Sequence, residues 1–335
     1  MPNILVTVII PARNSEKYII ACLEQIDKQD YPKELIEVIV VDGDSSDSTA
    51  DLAETHVVVG ISLKVVRLKC TGRAIALNSG IKIAKGNAIC RLDVRTRIDS
   101  DYIKLCVDTL ANTKAAAVGG LQVAFGDTIT KKSIGIAMTH FFGAGNAQYR
   151  IATKSGFVDT VYLGFYRTDI FDKIGLFDDS GYLISEDSDL NERICASGEK
   201  IYLNINIKIG YEPRGSLPEQ ARLYYRYGLA RSANIRKHRR LSSWRQLVAP
   251  AFMGLVSVLA CMSFFSAYSM LVLIFVLFIY AVANLIACLD LYFENRNLGV
   301  VPLLFIIFPI MHFSWAFGFW EGLLLSPKRD NHINV

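Results

Sequence analysis

Three short polar stretches each follow an apolar, β-branched run. Pro11-Ala12-Arg13-Asn14 follows residues 6–10, Asp42-Gly43-Asp44 follows residues 37–41, and Asp93-Val94-Arg95 follows residues 88–92. One Asp or Asn after a strand is ordinarily a turn residue. Three such loops at the ends of adjacent strands point instead to a site, because their polar groups converge on one crevice. A further acidic feature, Ser185-Glu186-Asp187, stands at the mouth of a helical stretch over 188–197. Acids there can cap the helix and answer its dipole. A carboxylate in the same place can instead take a proton as a general base. The residues alone leave both roles open.

The elements that must position these groups are legible from periodicity. Residues 15–29 have helical spacing with Ile19, Leu23 and Ile26 on one face. Residues 49–56 and 72–85 also read as helices, the latter turning Ala74, Leu77, Ile81 and Ala84 inward, and 65–68 reads as a strand. Strand and helix alternating at this spacing predict an α/β fold with a parallel sheet covered on both faces. Ligands in such sheets bind at the carboxyl ends of the strands, near the topological switch point. Beyond Gly119 the pattern changes. Residues 158–166 read as extended, 169–174 as a short helix, 188–197 as a helix stopped at Gly198, 200–209 as extended, and 221–238 as a basic helix interleaved with tyrosines.

Hydrophobic residues make up 52% and charged residues 20% of the 335, which excludes a disordered, collagen-like or coiled-coil chain. The apolar excess is localised, since residues 247–289 contain no Asp, Glu, Lys or Arg. Segments 247–262 and 268–289 predict a membrane hairpin. A third segment, 300–325, is interrupted by Pro302 and Pro309 and carries His312 and Glu321. It reads equally as a span or as an interfacial or re-entrant element. The expected division is therefore a domain over 1–240 and a membrane domain over 241–335.

Between Arg222 and Arg245 there are eight Lys or Arg and no acid, against a net charge of +4 for the whole chain. Beside an apolar hairpin this collar is explained by the positive-inside bias, and nucleic acid is not expected as a partner. The seven cysteines are scattered without a CxxC, which fits neither a disulfide framework nor a zinc site and points to a reducing compartment. Residues 5–10 are apolar but stop at Pro11, unlike a cleavable signal. The first domain is expected in the cytoplasm, at the inner (plasma) membrane.

The stretches VTVIIPARNSEKYI, IEVIVVDGDSSDST, GRAIALNSGIKIAKGNAICRLD, IGLFDDSGYLISEDSDLNERICASGEKI and YYRYGLAR, in this order, resemble glycosyltransferase family 2, the inverting GT-A enzymes. The likeness is greatest to bacterial membrane glycosyltransferases of the succinoglycan and exopolysaccharide type, and covers most of residues 4–240. It implies a GT-A (Rossmann-like, mostly parallel) catalytic domain followed by transmembrane or interfacial helices. It also implies a nucleotide-sugar donor, a divalent Mn2+ or Mg2+, and an acceptor that is plausibly a polyprenyl-linked saccharide at the membrane lipid surface.

By the resemblance, Pro11, Arg13 and Asn14 belong to the donor-base loop, and Asp42 meets the uracil edge, with Asp44 a weaker candidate. Arg73 and Asn78 lie in the helix before the metal loop. Asp93 is the first acid of the D-x-D motif and the metal ligand. The third position departs from the motif: it is Arg95, which cannot ligate a cation but can neutralise a diphosphate. Asp187 matches the catalytic base, with Glu186 beside it to orient the acceptor. Arg226 and Tyr227 match an arginine–aromatic element that holds diphosphate or acceptor, although the expected glutamine is Leu223. Two alternatives follow: an enzyme loading a sugar directly onto a polyprenyl monophosphate, and a non-catalytic nucleotide-sugar-binding membrane protein.

Overall fold

The computed structural model describes residues 4–180, 186–239, 244–295 and 298–325. The chain divides into two compact units. Among the described residues, one is built from those up to Val123 together with 147–211, the other from 124–146 together with those from Glu212 to Leu325. The expected break at 240/241 therefore falls inside the second unit, which also takes in a 23-residue excursion from the middle of the chain. Ser185 lies outside the described residues.

The first unit opens with β1 (Val6–Ala12), α1 (Ile19–Asp27), β2 (Ile36–Gly43), α2 (Thr49–Thr55), β3 (Ser62–Leu68), α3 (Arg73–Ile83) and β4 (Ala88–Arg91). It continues through β5 (Arg97–Ile98), α4 (Tyr102–Thr113) and β6 (Ala117–Ala124). The second unit begins with α5 (Ile129–Thr139) and α6 (Phe141–Ala144). The chain then returns to the first unit with α7 (Gln148–Ile151), β7 (Gly156–Val158), β8 (Tyr162–Arg167), α8 (Ile170–Ile174), α9 (Glu186–Ala196) and β9 (Ile201–Tyr211).

The sheet runs β3-β2-β1-β4-β8-β6-β9-β5, with β7 paired to β9. The pairs β1–β2, β1–β4 and β2–β3 are parallel, as the alternating pattern requires. At β4 the pairing turns antiparallel to β8, and β8 to β6 is antiparallel as well. Both β1 and β2 are buried along their whole length. This explains why they read as continuous apolar runs rather than alternating ones. One face of the sheet packs on α1 and α4 through Ile19, Leu23, Ile26, Ile103, Val107 and Leu110. The other packs on α3, α8 and α9 through Leu77, Ile81, Phe171, Leu190 and Ile194. At the register shift between β6 and β8, Leu163 takes a left-handed φ of 47° although fully buried. A residue without the freedom of glycine holds that conformation only where packing imposes it.

The second unit continues with α10 (Leu217–His238), α11 (Val248–Ser263), α12 (Ala267–Asn295) and α13 (Val301–Leu324). The helix α10 starts on a Ser216 cap that accepts from the Glu219 amide, with Pro218 in the first turn. Of the three apolar segments, α12 and α13 are long and apolar enough to cross a membrane, whereas α11 has only 16 residues. Pro309 interrupts α13 and deprives the Phe305 carbonyl of its helical donor. The Asn284 amide on α12 supplies the missing bond at 2.9 Å.

Candidate active site

The carboxyl ends of β1 and β2 are stitched together. The Asn14 amide N–H donates to Ser45 Oγ at 2.9 Å, and Asn14 Oδ1 accepts from the Ser46 N–H at 2.9 Å. Asp42, 4% exposed, accepts from the Ser45 N–H at 3.1 Å and also from the Ser45 hydroxyl. Asn14 and Asp44 both adopt left-handed backbone, at φ 47° and 63°, which Asn and Asp tolerate better than most residues. Asp44 is exposed and Pro11 is buried within β1. Arg13 directly follows β1, and its Cβ lies near Gly43 of β2. The first two predicted loops are thus joined to each other at the strand ends.

A second group of predicted residues meets around a residue that sequence reasoning missed. Arg91, the last residue of β4, is 2% exposed. Its Nε donates to Asp93 Oδ1 at 3.1 Å, its Nη2 lies 2.9 Å from Glu186 Oε1, and its Nη1 donates to Asp187. Arg73, opening α3, reaches Glu186 at 3.3 Å. Asp93, Glu186, Asp187 and Arg73 are therefore brought together from three elements, with Arg91 at the hub. An arginine inside the four-residue strand Ala88–Arg91, immediately ahead of Leu92-Asp93, was the signal available. A charge there must be buried, and a buried charge must be paired.

The acids reach this position because α9 is fixed along its length. Arg193 pairs with Asp189 at 2.8 Å and donates to the carbonyls of Ile174 and Leu176, both at 2.7 Å. Asn191 donates to Thr160 Oγ1 at 2.9 Å and to the Val161 carbonyl at 3.2 Å. Asn78 works on the segment leading to α9. Its amide exchanges two bonds with the Phe177 backbone, both 2.9 Å, and reaches Asp179 at 3.4 Å. Its hydrogen-bonding groups are thereby engaged by that loop.

Charges set the protonation states. Burial would raise Asp93, but Arg91 and Arg73 outweigh it and hold its carboxyl below the usual range. Asp187 goes the other way and is pushed up to about 7. Burial is the main cause, and the neighbouring charges of Glu186 and Asp93 add to it against the pull of Arg91 and Arg73. Its side chain keeps 21% of its surface, so it can still meet a substrate. Glu186 is 4% exposed and in contact with both arginines. It holds the cations in place rather than presenting an edge to an acceptor.

The Arg95 guanidinium lies over the Tyr18 ring, 4.8 Å from its centroid. Arg226 and Tyr227 lie on α10 in the second unit. Among the described residues no group of three His, Cys, Asp or Glu is arranged to hold a metal ion. Asp93 is a single carboxylate, 25% exposed. That donor set fits a hard divalent cation only if most of its ligands come from diphosphate and water, a common arrangement for Mg2+.

A model described as Glycosyl transferase family 2 matches residues 7–175. The chain belongs to glycosyltransferase family 2. It is a glycosyltransferase with a GT-A fold. Among its relatives is the Methanococcus voltae dolichyl N-acetyl-alpha-D-glucosaminyl phosphate 3-beta-D-2,3-diacetamido-2,3-dideoxy-beta-D-glucuronosyltransferase, 27% identical over 331 residues, spanning 95% of this chain and 97% of that protein. Another is the succinoglycan biosynthesis protein ExoA of Rhizobium meliloti, 25% identical over 334 residues and covering 96% of each chain. The same fold is found in the mannosyltransferase PcManGT from Pyrobaculum calidifontis, solved in complex with GDP-Man and Mn2+. There the TM-score is 0.63 at 18% identity, over 97% of this chain and 88% of that one.

Proposed function

We propose that this family 2 enzyme moves a sugar, with inversion, from a nucleotide-sugar to a hydroxyl of a lipid-linked saccharide, with UDP as the leaving group. The acceptor oxygen attacks the anomeric carbon on the face opposite the diphosphate. Its proton passes to Asp187 as the new C–O bond forms. The bond to the diphosphate oxygen breaks, and UDP leaves with both electrons of that bond. Asp42 and the Arg13–Asn14 loop receive the base, and Arg73 and Arg91 face the charge that develops on the diphosphate. Asp93 would hold a divalent cation, which when bound supplies further neutralisation of the diphosphate.

The observation that carries this reading is the cluster in which Arg91 meets Asp93, Glu186 and Asp187, with Asp187 still partly exposed and its carboxyl raised mainly by burial. A general base works best when its pKa lies near the working pH. The same observation bears on the alternative of loading a sugar onto a lipid monophosphate. A phosphate oxygen is already ionised at neutral pH and has no proton to surrender, so such an acceptor does not need this base. The Methanococcus relative, named for a sugar-bearing lipid phosphate acceptor, supports the hydroxyl reading. The exposed apolar helices and the basic collar support a catalytic unit on the cytoplasmic side of the inner membrane.

The test uses membranes containing the full chain or its Asp187→Asn variant. Labelled UDP-sugars and GDP-mannose are supplied with lipid-linked saccharides, with and without Mn2+ or Mg2+. Label entering the lipid phase from a UDP-sugar, and lost in the variant, is the expected result. Transfer from GDP-mannose alone overturns the uridine assignment. Label on a bare polyprenyl phosphate overturns the hydroxyl acceptor. Nucleotide binding with no transfer from any donor overturns the enzymatic role assigned to Asp187.

A further inference from the structure

We propose that Tyr166 is a positioning residue of the site: when the donor diphosphate draws Arg91 away from Asp187, the Tyr166 hydroxyl donates to Asp187 in its place. The inference rests on the donor reading above. Tyr166 lies in β8, which runs antiparallel to β4 with Ile89 opposite Tyr166 and Cys90 opposite Phe165. Continued by one pair, this register sets Arg91 against Gly164. The Tyr166 ring leans back along its own strand over Gly164, where a methyl group would overlap the phenol carbon and the hydroxyl. The missing side chain at 164 is therefore what lets the hydroxyl reach the strand end that carries Arg91. The ring is held there by Phe171 at 5.6 Å and Phe177 at 6.2 Å, both edge-on.

Tyr166 is fully buried, and its hydroxyl proton meets no acceptor among the described residues. A buried hydroxyl without a partner is destabilising, and native folds hold few of them. Phenylalanine would fill the same space without that cost, so the hydroxyl needs another explanation. Its surroundings supply one. Burial first, and then the negative charge of Asp187, push the phenol well up; Glu186 adds to this, while Arg91 and the Gly164 amide oppose it. The phenol therefore keeps its proton and remains a donor at any working pH.

The acids of the cluster lean on a shared cation. Each of the three nitrogens of Arg91 already serves a carboxylate: Nε serves Asp93, Nη2 serves Glu186 and Nη1 serves Asp187. A diphosphate can draw on this guanidinium only in competition with them. A buried acid that loses its share is left poorly satisfied unless another donor takes over. The Tyr166 hydroxyl is an unspent donor at the same strand end. Two arrangements follow. In one, as in this structure, Arg91 bonds Asp187 and the hydroxyl is unbonded. In the other, Arg91 bonds the diphosphate and the hydroxyl bonds Asp187.

The test compares the detergent-solubilised full chain with its Tyr166→Phe variant. Both are followed by thermal unfolding with and without UDP, and by calorimetric titration with UDP in the presence of Mg2+. Without nucleotide the variant should melt at or above the wild-type temperature, because it loses only an unbonded hydroxyl. It should bind UDP about tenfold or more weakly, the worth of a hydrogen bond to a charged group. UDP should then raise its melting temperature correspondingly less. A variant that melts lower without UDP has lost a bond the hydroxyl already makes, to a resident water for instance, and this overturns the proposal. Equal UDP affinity in the two proteins overturns it as well. The comparison is read with whichever of UDP or GDP the wild type binds more tightly. A wild type that binds neither overturns the donor reading itself, and this inference with it.

Discussion

Replacing Asp187 by asparagine should abolish transfer while making the protein more stable at alkaline pH. The Asp187 carboxyl is raised from 3.8 to about 7. Its folded-state pKa thus lies above its unfolded value, and the fold favours the protonated acid. The penalty is absent below 3.8, grows as pH rises, and is complete above about 7. At about 1.4 kcal/mol per pH unit the full penalty is roughly 4 kcal/mol. Since the side chain keeps 21% of its surface, solvent relieves part of it, and a gain on the order of 2–4 kcal/mol is expected for Asp187→Asn at pH 8. At pH 5 only roughly 1–2 kcal/mol of the penalty has developed, so the advantage of the variant should shrink.

Asparagine keeps the shape and an oxygen that can accept from Arg91, while Asp93 and Glu186 still balance that cation. The assay is thermal unfolding of the detergent-solubilised full chain, wild type against variant, from pH 5 to 8. A unit of this size shifts by about 2–4 °C per kcal/mol. If Asp187→Asn instead melts lower than wild type at pH 8, the ion pair with Arg91 outweighs burial and Asp187 is a structural acid. A gain that does not change with pH would equally refute the raised carboxyl.

The remaining predictions test the same cluster and its supports. In the wild type, transfer should rise with pH through about 7 as Asp187 loses its proton, measured as initial rates at saturating donor. Arg91→Met removes the shared partner of three carboxylates and should cost about 3–5 kcal/mol at pH 8, because charges are left buried and unpaired. Protonation relieves buried, unpaired carboxylates, so the loss should diminish toward pH 5. Asn78→Ala should lower stability by about 1–3 kcal/mol through the orphaned Phe177 backbone groups, yet leave UDP affinity within about twofold by calorimetry. Mn2+ should bind measurably only when UDP is present, because Asp93 offers one carboxylate. Mn2+ binding of equal strength without nucleotide would point to protein ligands not identified around Asp93.

The parallel half of the fold was legible because its signals are local. Buried strands such as Ile36–Gly43 are short apolar runs, and each ends in a polar loop. The placing of Asp93, Glu186 and Asp187 in one site was also readable, but only through the ordered resemblance, since acids in a first helical turn serve equally as caps. The unit boundary was not readable. It depends on α5 and α6 leaving the first unit, and no composition shift marks residues 124–146. The partners of Asn78 were not readable for a related reason. Its spacing from Arg73 says which helix it occupies, but not that a backbone turn 99 residues away takes both of its amide groups.

Arg91 and Arg95 show the same limit most sharply. The departure from D-x-D drew attention to Arg95 as a substitute cation, because it occupies the motif's third position. In the fold that side chain rests on Tyr18, and the cation at the acids is Arg91, two residues before Asp93 rather than two after. Side chains alternate along a strand, so residues 91 and 93 share a face near its end. Beyond the strand the chain turns, and the alternation no longer governs residue 95. The motif's spacing therefore points to Asp93 but not to the charge that balances it. A guanidinium with several donors can serve three carboxylates at once. That lets one strand-end arginine hold Asp93 ionised while burial leaves Asp187 free to take a proton near neutral pH.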